Sequence, residues 1–318
     1  MKNRSVFGWL TLALLLYGCI SIDLTRQIQP LRENVVEGQG RAKILVLEIS
    51  GVISEERLLA LPGSGPEVPL LARIREELRK AEEDSSVKAL VVRINSPGGT
   101  ATASDVVYEE IRKFKTNRKI PVIAAIMDVG ASGAYYAALA ADRIVAHPTA
   151  VVGSIGVVML TMNAEGLLQK VGVTPLAIKS GAKKDMGSPF RALTDEERAI
   201  FQDVIDSLHA RFVQLIASQR GLSLAEVQAL ADGRIYTAEE AKRHRLIDAT
   251  GYIEDAIRLA KEAAGLEEAK IVVYHRPKEY RATVYSSAPT PDRLEFTLGQ
   301  LSSLLLGPGP RFLYLWWP

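Results

Sequence analysis

The sequence predicts an α/β protein with largely parallel strand pairing. Two observations lead to this expectation. Apolar strands such as Val87–Ile94 alternate along the chain with segments of helical periodicity such as Leu70–Glu82, which is typical of a sheet covered by helices. From Thr194 the pattern becomes mostly helical, which predicts helices added on the C-terminal side of the sheet domain.

Each element is predicted from its apolar spacing and its end signals. Strands are expected at Ile44–Ile49, Val87–Ile94, Pro121–Met127, Arg143–Ala146, within the apolar segment Val151–Leu160, and at Thr174–Ile178, Leu246–Asp248 and Lys270–Tyr274. Helices are expected at Leu70–Glu82, Thr102–Lys115, Tyr135–Ala140, Ala164–Val171, Thr194–Arg220 and Ile253–Ala264, with short helices opening near Leu222 and Tyr236. Thr194 followed by Glu197 is a capping-box pattern.

Length and composition exclude several functional classes. The 318 residues can form one large domain or two modest ones. Lys and Arg total 39 against 37 Asp and Glu, so charge gives no reason to expect nucleic acid as a partner. The four histidines and the single cysteine show no metal-ligand spacing, so neither a metal nor another cofactor is predicted.

The N-terminus has the pattern of a bacterial lipoprotein signal. A basic start and an apolar stretch lead to Cys19, which predicts a signal peptide at 1–18 and lipidation of that cysteine. An uncleaved membrane anchor is the alternative, and both interpretations place the rest of the chain outside the cytoplasm. The polar segment that follows, residues 19–42, is expected to be an unpatterned tether.

The C-terminal segment, residues 283–318, is expected to be an apolar tail beyond a catalytic domain at 43–282. A linker-like stretch is followed by the apolar runs Leu294–Leu306 and Phe312–Pro318. Two interpretations remain open: a tail that packs on a neighbouring subunit, or an aromatic anchor at a membrane interface.

Ser132 is the strongest candidate for a catalytic side chain. It lies between Gly130 and Gly133, at the point where a buried strand is predicted to turn into a helix. Glycines around a serine allow a sharp turn that displays the hydroxyl to a substrate carbonyl. A serine that merely caps a buried helix is the alternative, and this segment alone does not decide between them.

The segment Asn95–Gly99 has the construction of an oxyanion hole. It follows the buried strand Val87–Ile94 and precedes a helix, and its two glycines let backbone N–H groups point into a cleft. Preorganised amides of this kind stabilise the negative charge that develops on a carbonyl oxygen in the transition state. A plain strand-to-helix turn is the alternative.

A serine nucleophile needs a general base, and the four histidines are poorly placed for it. Lysine can act as the base when desolvation or a second cation lowers its pKa. The adjacent Lys183 and Lys184 lie in the polar loop Lys179–Pro189, which could equally be a solvated charge cluster. Ser154 could orient a lysine ammonium or simply end a strand.

Six segments together resemble the signal peptide peptidase A family in its short, single-repeat form. In chain order they are Asn95–Gly99, Gly130–Tyr136, Ala141–Ile144, Gly153–Val157, Ser180–Asp185 and Gly233–Ala241. The resemblance runs from about Lys43 to Glu267. It implies that Ser132 is the nucleophile and Lys184 the general base. It also implies that Ser154 orients the lysine and that the Gly99 amide donates to the oxyanion. Ala134 departs from the pattern, because many members have glycine there.

The fold that the resemblance implies is that of the Clp peptidase and crotonase superfamily, a right-handed spiral of repeated strand-strand-helix units. Short members assemble into a homo-oligomeric ring or dome, in which the lysine comes from the neighbouring subunit. The implied activity is that of a membrane-associated serine endopeptidase that degrades cleaved signal peptides and other unfolded apolar peptides. It would work through a Ser/Lys dyad and an acyl-enzyme on the periplasmic or extracellular side of the cell membrane.

Three other functions remain open. A crotonase-type acyl-CoA enzyme would share the spiral but would not need Ser132 or an export signal. An exported α/β-hydrolase would need a Gly-x-Ser-x-Gly motif, which Ala134 breaks, and a late histidine, for which His275 is the only candidate. The third is a membrane-bound scaffold of the same fold with a vestigial site.

Overall fold

The computed structural model describes residues 28–55, 68–277, 281–286 and 311–316. The strands are β1 (Arg32–Glu37), β2 (Lys43–Ser50), β3 (Val87–Ser96), β4 (Gly98–Thr100), β5 (Val122–Ala131), β6 (Arg143–Ala146), β7 (Val151–Gly153), β8 (Val158–Leu160), β9 (Ile235–Thr237), β10 (Ala249–Thr250), β11 (Lys270–His275) and β12 (Arg311–Leu315). The helices are α1 (Leu70–Glu83), α2 (Ala101–Arg118), α3 (Gly133–Ala138), α4 (Glu165–Lys170), α5 (Asp195–Arg220), α6 (Leu224–Leu230), α7 (Ala238–Arg243) and α8 (Ile253–Ala263).

The main sheet has the strand order β1-β11-β2-β3-β5-β6-β10. Its central pairs are parallel, whereas β1 joins antiparallel at the edge beside β11, and the short strand β9 pairs antiparallel with β7. Alternate side chains of β2 enter two separate cores. Leu45 and Leu47 pack with α1 and α2 on one face, whereas Ile44 and Val46 pack with α8 on the other. Coverage on both faces explains why the central strands are mostly apolar.

Strand-strand-helix units build the region around the candidate site. Strand β3 is followed by the short strand β4 and then by α2. Strand β5 bends, so its first half pairs with β6 and its last residues, Val129–Ala131, pair with β7. A second, small sheet with the order β4-β12-β8 lies at the carboxyl end of β3. The predicted α/β fold of repeated strand-strand-helix units is confirmed.

The helices after Thr194 are also confirmed. Helix α5 begins with the predicted capping box, in which Thr194 accepts from the Glu197 amide and Glu197 accepts from the Thr194 amide. Ser223 and Thr237 cap α6 and α7 in the same way. None of the helices in the part of the chain that the structure describes is long and apolar enough to cross a membrane.

Two strand expectations are wrong. Thr174–Ile178 forms no strand, and Leu176 and Ile178 are 87% and 96% exposed, because a β-prone run without a partner strand has nothing to pair with. The strand predicted at Leu246–Asp248 lies three residues later, as β10. Leu246 and Ile247 instead bury their side chains in the core within a turn.

Parts of both chain ends differ from the expected tether and tail. The expectation of an unpatterned tether is wrong at Arg32–Glu37, where β1 extends the sheet through backbone pairing with β11 and leaves most of its side chains exposed. At the other end, Arg311–Leu315 forms β12 and pairs within the same chain. The predicted signal peptide 1–18 and Cys19 lie outside the described residues, as does most of the tail.

Candidate active site

Ser132 occupies the turn between β5 and α3 in a conformation that is unusual for serine. Its φ is 53° and its ψ is −116°, which costs free energy for a residue with a side chain and is typical of functional turns. The residue is 1% exposed. Its hydroxyl makes no capping hydrogen bond, and its Oγ has no hydrogen-bond partner in the described structure. A serine that merely caps α3 is therefore not what the structure contains.

Close packing of the backbone explains the small residues around Ser132. A Cβ on Gly130 would lie 2.6 Å from the side chain of Ile126, and a Cβ on Gly133 would lie 2.2 Å from Ser104 Oγ. Ala134 is completely buried in α3, so the methyl group that departs from the family pattern is accommodated. The predicted strand-to-helix turn is thus present and tightly packed.

Two glycines line the cleft beside Ser132. Gly98 has a φ of 98°, and its N–H donates to Ser96 Oγ at 3.1 Å. A Cβ on Gly98 would lie 2.1 Å from the carbonyl oxygen of Tyr314 and 2.7 Å from the Gly133 nitrogen. A Cβ on Gly99 would lie 1.8 Å from the Ile53 oxygen. Only glycine fits at either position, because another backbone approaches each of them.

Strand β12 lies in this cleft as the middle strand of the small sheet. It runs antiparallel to both neighbours, with Tyr314 opposite Gly99 on β4 and Leu313 opposite Val158 on β8. The Trp316 N–H donates to the Pro97 carbonyl at 2.8 Å. Because hydrogen-bonded pairs alternate in an antiparallel ladder, Tyr314 and Gly99 form the next such pair, and the Gly99 N–H points at the Tyr314 carbonyl.

A peptide carbonyl therefore sits among backbone amides next to Ser132. The Tyr314 oxygen lies against Gly98, faces the Gly99 N–H, and would be 3.0 Å from a Cβ on Gly133. Gly133 directly follows Ser132 and begins α3, so its N–H is a free helix-start donor. Sequence reasoning named Gly99 and only an unspecified second donor. The glycine after the serine was the signal that could have identified it.

Ser154 lies beside Ser132 because their strands are neighbours. Ala131 pairs with Gly153 in parallel register, and the Ser132 N–H donates to the Gly153 carbonyl at 2.7 Å. Ser154 follows directly, with a φ of 50°, 7% exposure, and its N–H bonded to the Arg234 carbonyl at 2.7 Å. The structure thus brings two of the predicted site residues, Ser132 and Ser154, together.

Lys184 is not brought to them within the single chain. It lies in an exposed turn, where its backbone N–H donates to Gly181 at 3.1 Å. Its ammonium has no ion-pair or hydrogen-bond partner among the residues described. The adjacent Lys183 differs, because it forms an ion pair with Glu196. The two lysines that the sequence could not separate are therefore in different electrostatic settings.

Ion pairs close the loop that carries Lys184. Asp185 pairs with Lys179 at 2.6 Å and with Arg191 at 2.8 Å, and Arg191 also pairs with Glu197 at 2.6 Å. Hydrogen bonds from Arg191 and Lys179 hold the pKa of Asp185 well below its usual range. Hydrogen bonds from Arg191 and from the Thr194 amide lower the pKa of Glu197 to about 2. The loop is thus anchored to the first turn of α5.

A metal centre has no candidate in the described part of the chain, where no group of three or more His, Cys, Asp or Glu side chains is arranged to hold an ion.

Comparisons with known proteins identify the family. The profile of Peptidase family S49 matches residues 114–267. A protein of Enterococcus faecium named as a signal peptide peptidase SppA is 36% identical over 245 residues, which cover 76% of this chain and 70% of that protein. A protein of Synechocystis named as a protease is 37% identical over 231 residues, which cover 73% of this chain and 78% of its own length.

Two further matches are to a longer protein and to a more distant one. The chloroplastic serine protease SPPA of Arabidopsis thaliana is 34% identical over 229 residues, and the match covers 71% of this chain but 33% of that protein. A solved structure of a ClpP1 mutant from Listeria monocytogenes is 18% identical, with a TM-score of 0.43 over 67% of this chain and 94% of that one. The similarity to the first two relatives extends over more than two thirds of this chain and of each relative. This chain therefore belongs to Peptidase family S49 as a serine peptidase of the SppA type.

Proposed function

We propose that this serine peptidase hydrolyses peptide bonds through an acyl-enzyme, with Ser132 as nucleophile and Lys184 of a neighbouring subunit as general base. The observation that carries the proposal is the buried, unpartnered Ser132 hydroxyl beside a cleft in which a peptide carbonyl already lies against Gly98, Gly99 and Gly133. A nucleophile and preorganised amide donors within reach of one carbonyl are the two requirements of acyl transfer.

The reaction follows from these positions. Neutral Lys184 removes the proton from Ser132 Oγ, and the oxygen attacks the scissile carbonyl carbon. The Gly99 and Gly133 N–H groups bind the oxyanion that forms, and Ser154 holds the lysine amine in line with the hydroxyl. The protonated lysine then gives its proton to the leaving amine. Water, deprotonated by the same lysine, releases the acyl group.

The surface around Lys184 supports a base supplied between subunits. Eight of the fifteen exposed large apolar side chains in the described structure lie between residues 160 and 190, the segment that carries Lys184. Such a concentration is typical of a surface that another protein covers. A second copy of this chain would bury the segment and remove water from the Lys184 ammonium. Loss of that water favours the neutral amine that a base requires.

The substrates we propose are cleaved signal peptides and other unfolded apolar peptides, met at the surface of the cell membrane on its periplasmic or extracellular side. The proposal rests on the N-terminal sequence and on the similarity to proteins named for signal peptide cleavage. Mass spectrometry of the mature N-terminus tests the location, because lipidated Cys19 as first residue is the expected result. An unmodified chain in the cytoplasmic fraction would contradict it.

A subunit-mixing experiment tests the shared dyad. Ser132→Ala and Lys184→Ala chains are each expected to be inactive toward a fluorogenic peptide. When the two are unfolded together and reassembled, some interfaces pair an intact Ser132 with an intact Lys184, and activity returns. The matched control mixes Ser132→Ala with the Ser132→Ala/Lys184→Ala double variant, in which no complete site can form.

Labelling by a fluorophosphonate separates the peptidase from a scaffold with a vestigial site. We expect the wild-type chain to be labelled at Ser132 and the Ser132→Ala chain not to be labelled. An unlabelled wild-type assembly would refute the proposed nucleophile, whereas labelling without recovery in the mixing experiment would refute only the sharing of the dyad.

A further inference from the structure

The segment Gly233–Ala241 is one of the six segments named above for their family resemblance, and the proposed catalytic steps do not use it. It forms a bend, the short strand β9 and the first residues of α7. Strand β9 pairs antiparallel with β7, with Ile235 opposite Gly153. The segment therefore lies directly beside the backbone that carries Ser154.

The backbone of this segment holds Ser154 in a strained conformation. Ser154 has a φ of 50°, which is costly for a residue with a side chain and persists only where the surroundings enforce it. Its N–H donates to the Arg234 carbonyl at 2.7 Å. The Gly233 N–H donates in return to the Ile155 carbonyl at 3.2 Å. The bend before β9 thus bonds to the chain at Ser154 itself and at the residue that follows it.

Tyr236 packs its ring against the residue that precedes Ser154. A Cβ on Gly153 would lie 2.6 Å from Cδ2 of Tyr236, so the ring occupies the space where a side chain would otherwise be. Gly153 has a φ of 99°, a conformation that is readily open to glycine alone. Tyr236 is 6% exposed, and its hydroxyl donates to the Leu230 carbonyl at 2.9 Å, at the end of α6. The ring is therefore fixed at its tip while its edge covers Gly153.

Neighbouring residues keep the bend and the strand in place. Asp232 Oδ1 accepts from the Arg234 N–H at 3.1 Å and from Arg234 Nε at 2.9 Å. Thr237 Oγ1 accepts from the Glu240 N–H at 3.3 Å and so caps α7. These local bonds fix both ends of β9, and Tyr236 lies between them.

From this arrangement we infer that Tyr236 is a positioning residue of the peptidase. Its ring holds the backbone of Gly153 and Ser154 in the conformation from which the Ser154 hydroxyl orients the lysine of the neighbouring subunit. Without the ring, the strained backbone has room to relax, and the hydroxyl moves with it. A displacement of about 1 Å can lower a rate by up to about a hundredfold. The inference rests on the proposed role of Ser154.

The test is a double-mutant cycle between Tyr236 and Ser154, measured as kcat of the full chain for a fluorogenic peptide. Tyr236→Leu should lower kcat by about tenfold when Ser154 is present and by less than about twofold in the Ser154→Ala background. KM should stay within about twofold, because β9 pairs with neither β4 nor β8 of the cleft. Loss of folded protein would lower kcat by the same factor in both backgrounds, so it cannot produce this result.

Two variants serve as controls for the cycle. Tyr236→Phe keeps the ring and loses only the bond to Leu230, so its kcat should stay within about threefold of the wild-type value. Tyr274→Leu also removes a buried ring, which is 3% exposed and lies on β11, three strands from β5 in the order of the main sheet. Any loss of kcat that it causes should be the same with and without Ser154.

A surface variant replaces Tyr236→Leu in the cycle if that chain does not fold. The Asp232 side chain is 45% exposed and holds the bend that presents the Arg234 carbonyl to Ser154. Asp232→Ala should lower kcat by about three- to tenfold with Ser154 present and by less than about twofold in the Ser154→Ala background.

Equal factors in the two backgrounds, from a wild-type chain that is active and labelled at Ser132, would overturn the inference and leave the proposed nucleophile and base standing. If the wild-type chain neither cleaves nor is labelled, the proposed function fails instead, and hydrogen exchange tests the positioning alone. The Ser154 amide should then exchange at least about tenfold faster in Tyr236→Leu than in Tyr274→Leu. Equal exchange in these two variants would overturn the inference.

Discussion

The two halves of the proposed dyad lie in regions of opposite character. Ser132 is 1% exposed, ends a strand in the middle of the main sheet and has its backbone fixed by β7 and α3. Lys184 lies in an exposed turn among exposed apolar side chains, and ion pairs rather than a packed core hold its loop. The backbone around Ser132 is fixed within one chain, whereas the proposed base is not brought to Ser132 within that chain.

The contrast indicates where control of the activity resides. Deep burial fixes the geometry of Ser132 and the glycines in every folded chain, whether or not it assembles. The loop is held by partly buried ion pairs rather than by an apolar core, so its final position depends on what covers it. In the mechanism we propose, folding therefore prepares the nucleophile, and assembly of subunits completes the site.

Replacing the two adjacent lysines tests this contrast most strongly. Lys184→Ala should lower kcat by about 10²- to 10⁴-fold, because a general base is removed. Lys183→Ala, the matched control, loses only an exposed ion pair with Glu196 and should change kcat by less than about threefold. Steady-state turnover of a fluorogenic peptide measures both. Equal losses of kcat would show that the loop has a structural role and does not supply the general base.

Adding a single methyl group to the cleft that Gly98 and Gly99 line should lower the activity. Gly98→Ala places a Cβ where the substrate carbonyl lies and should reduce kcat/KM by roughly a hundredfold, the scale of a disturbed oxyanion site. Gly265→Ala has a similar positive φ of 65° but no atom within 4 Å of the new Cβ. Both variants carry backbone strain, so similar thermal midpoints with different activity would locate the effect in the cleft. Equal activity would show that the cleft is not where the carbonyl reacts.

Ser154 links the two regions and should have an intermediate effect. If its hydroxyl positions the lysine, Ser154→Ala should lower kcat by about 10- to 100-fold and leave KM nearly unchanged. Its strained φ of 50° makes stability a necessary control, measured by thermal unfolding. A rise in KM with normal kcat would instead place Ser154 in substrate binding.

Low pH should destabilise the loop that carries Lys184 before it affects the region around Ser132. The pKa of Glu197 is lowered to about 2 in the folded chain from an ordinary value of 4.5, so its pairing with Arg191 is intact above that ordinary value and is lost as the pH falls toward 2. Hydrogen exchange in residues 180–197, corrected for intrinsic rates, should therefore increase below about pH 4. Arg191→Gln should produce the same increase at neutral pH. Unchanged protection in both cases would show that packing, not charge, holds the loop.

Much of the main sheet could be predicted because its strands are covered on both faces. Mostly apolar runs such as Val87–Ile94 and a capping box such as that of Thr194 and Glu197 are local signals, and both elements formed as expected. Strand β1 gave no such signal, because an edge strand with exposed side chains is stabilised by backbone pairing. Thr174–Ile178 carried a strand signal with no partner to pair with.

The residues of the candidate site could be identified from the sequence, but their positions relative to one another could not. Ser132, Ser154 and Gly99 stand in short motifs near strand ends, and parallel pairing brings strand ends together. Neither the exposure of Lys184 nor the packing of Tyr314 on Tyr136 follows from a local sequence pattern. Tyr314 lies far along the chain from Tyr136, and only tertiary pairing of β12 makes them neighbours.

Because strand β12 occupies the cleft, a substrate must reach a threshold concentration before it can displace that strand. A strand that belongs to the same molecule competes with a free peptide at an effective concentration that is commonly on the order of millimolar. A free peptide at micromolar concentration, with the same contacts as β12, would rarely displace it. At the membrane surface where we propose that the substrates are met, peptides would reach far higher local concentrations. The resident strand would then make cleavage depend on that local concentration.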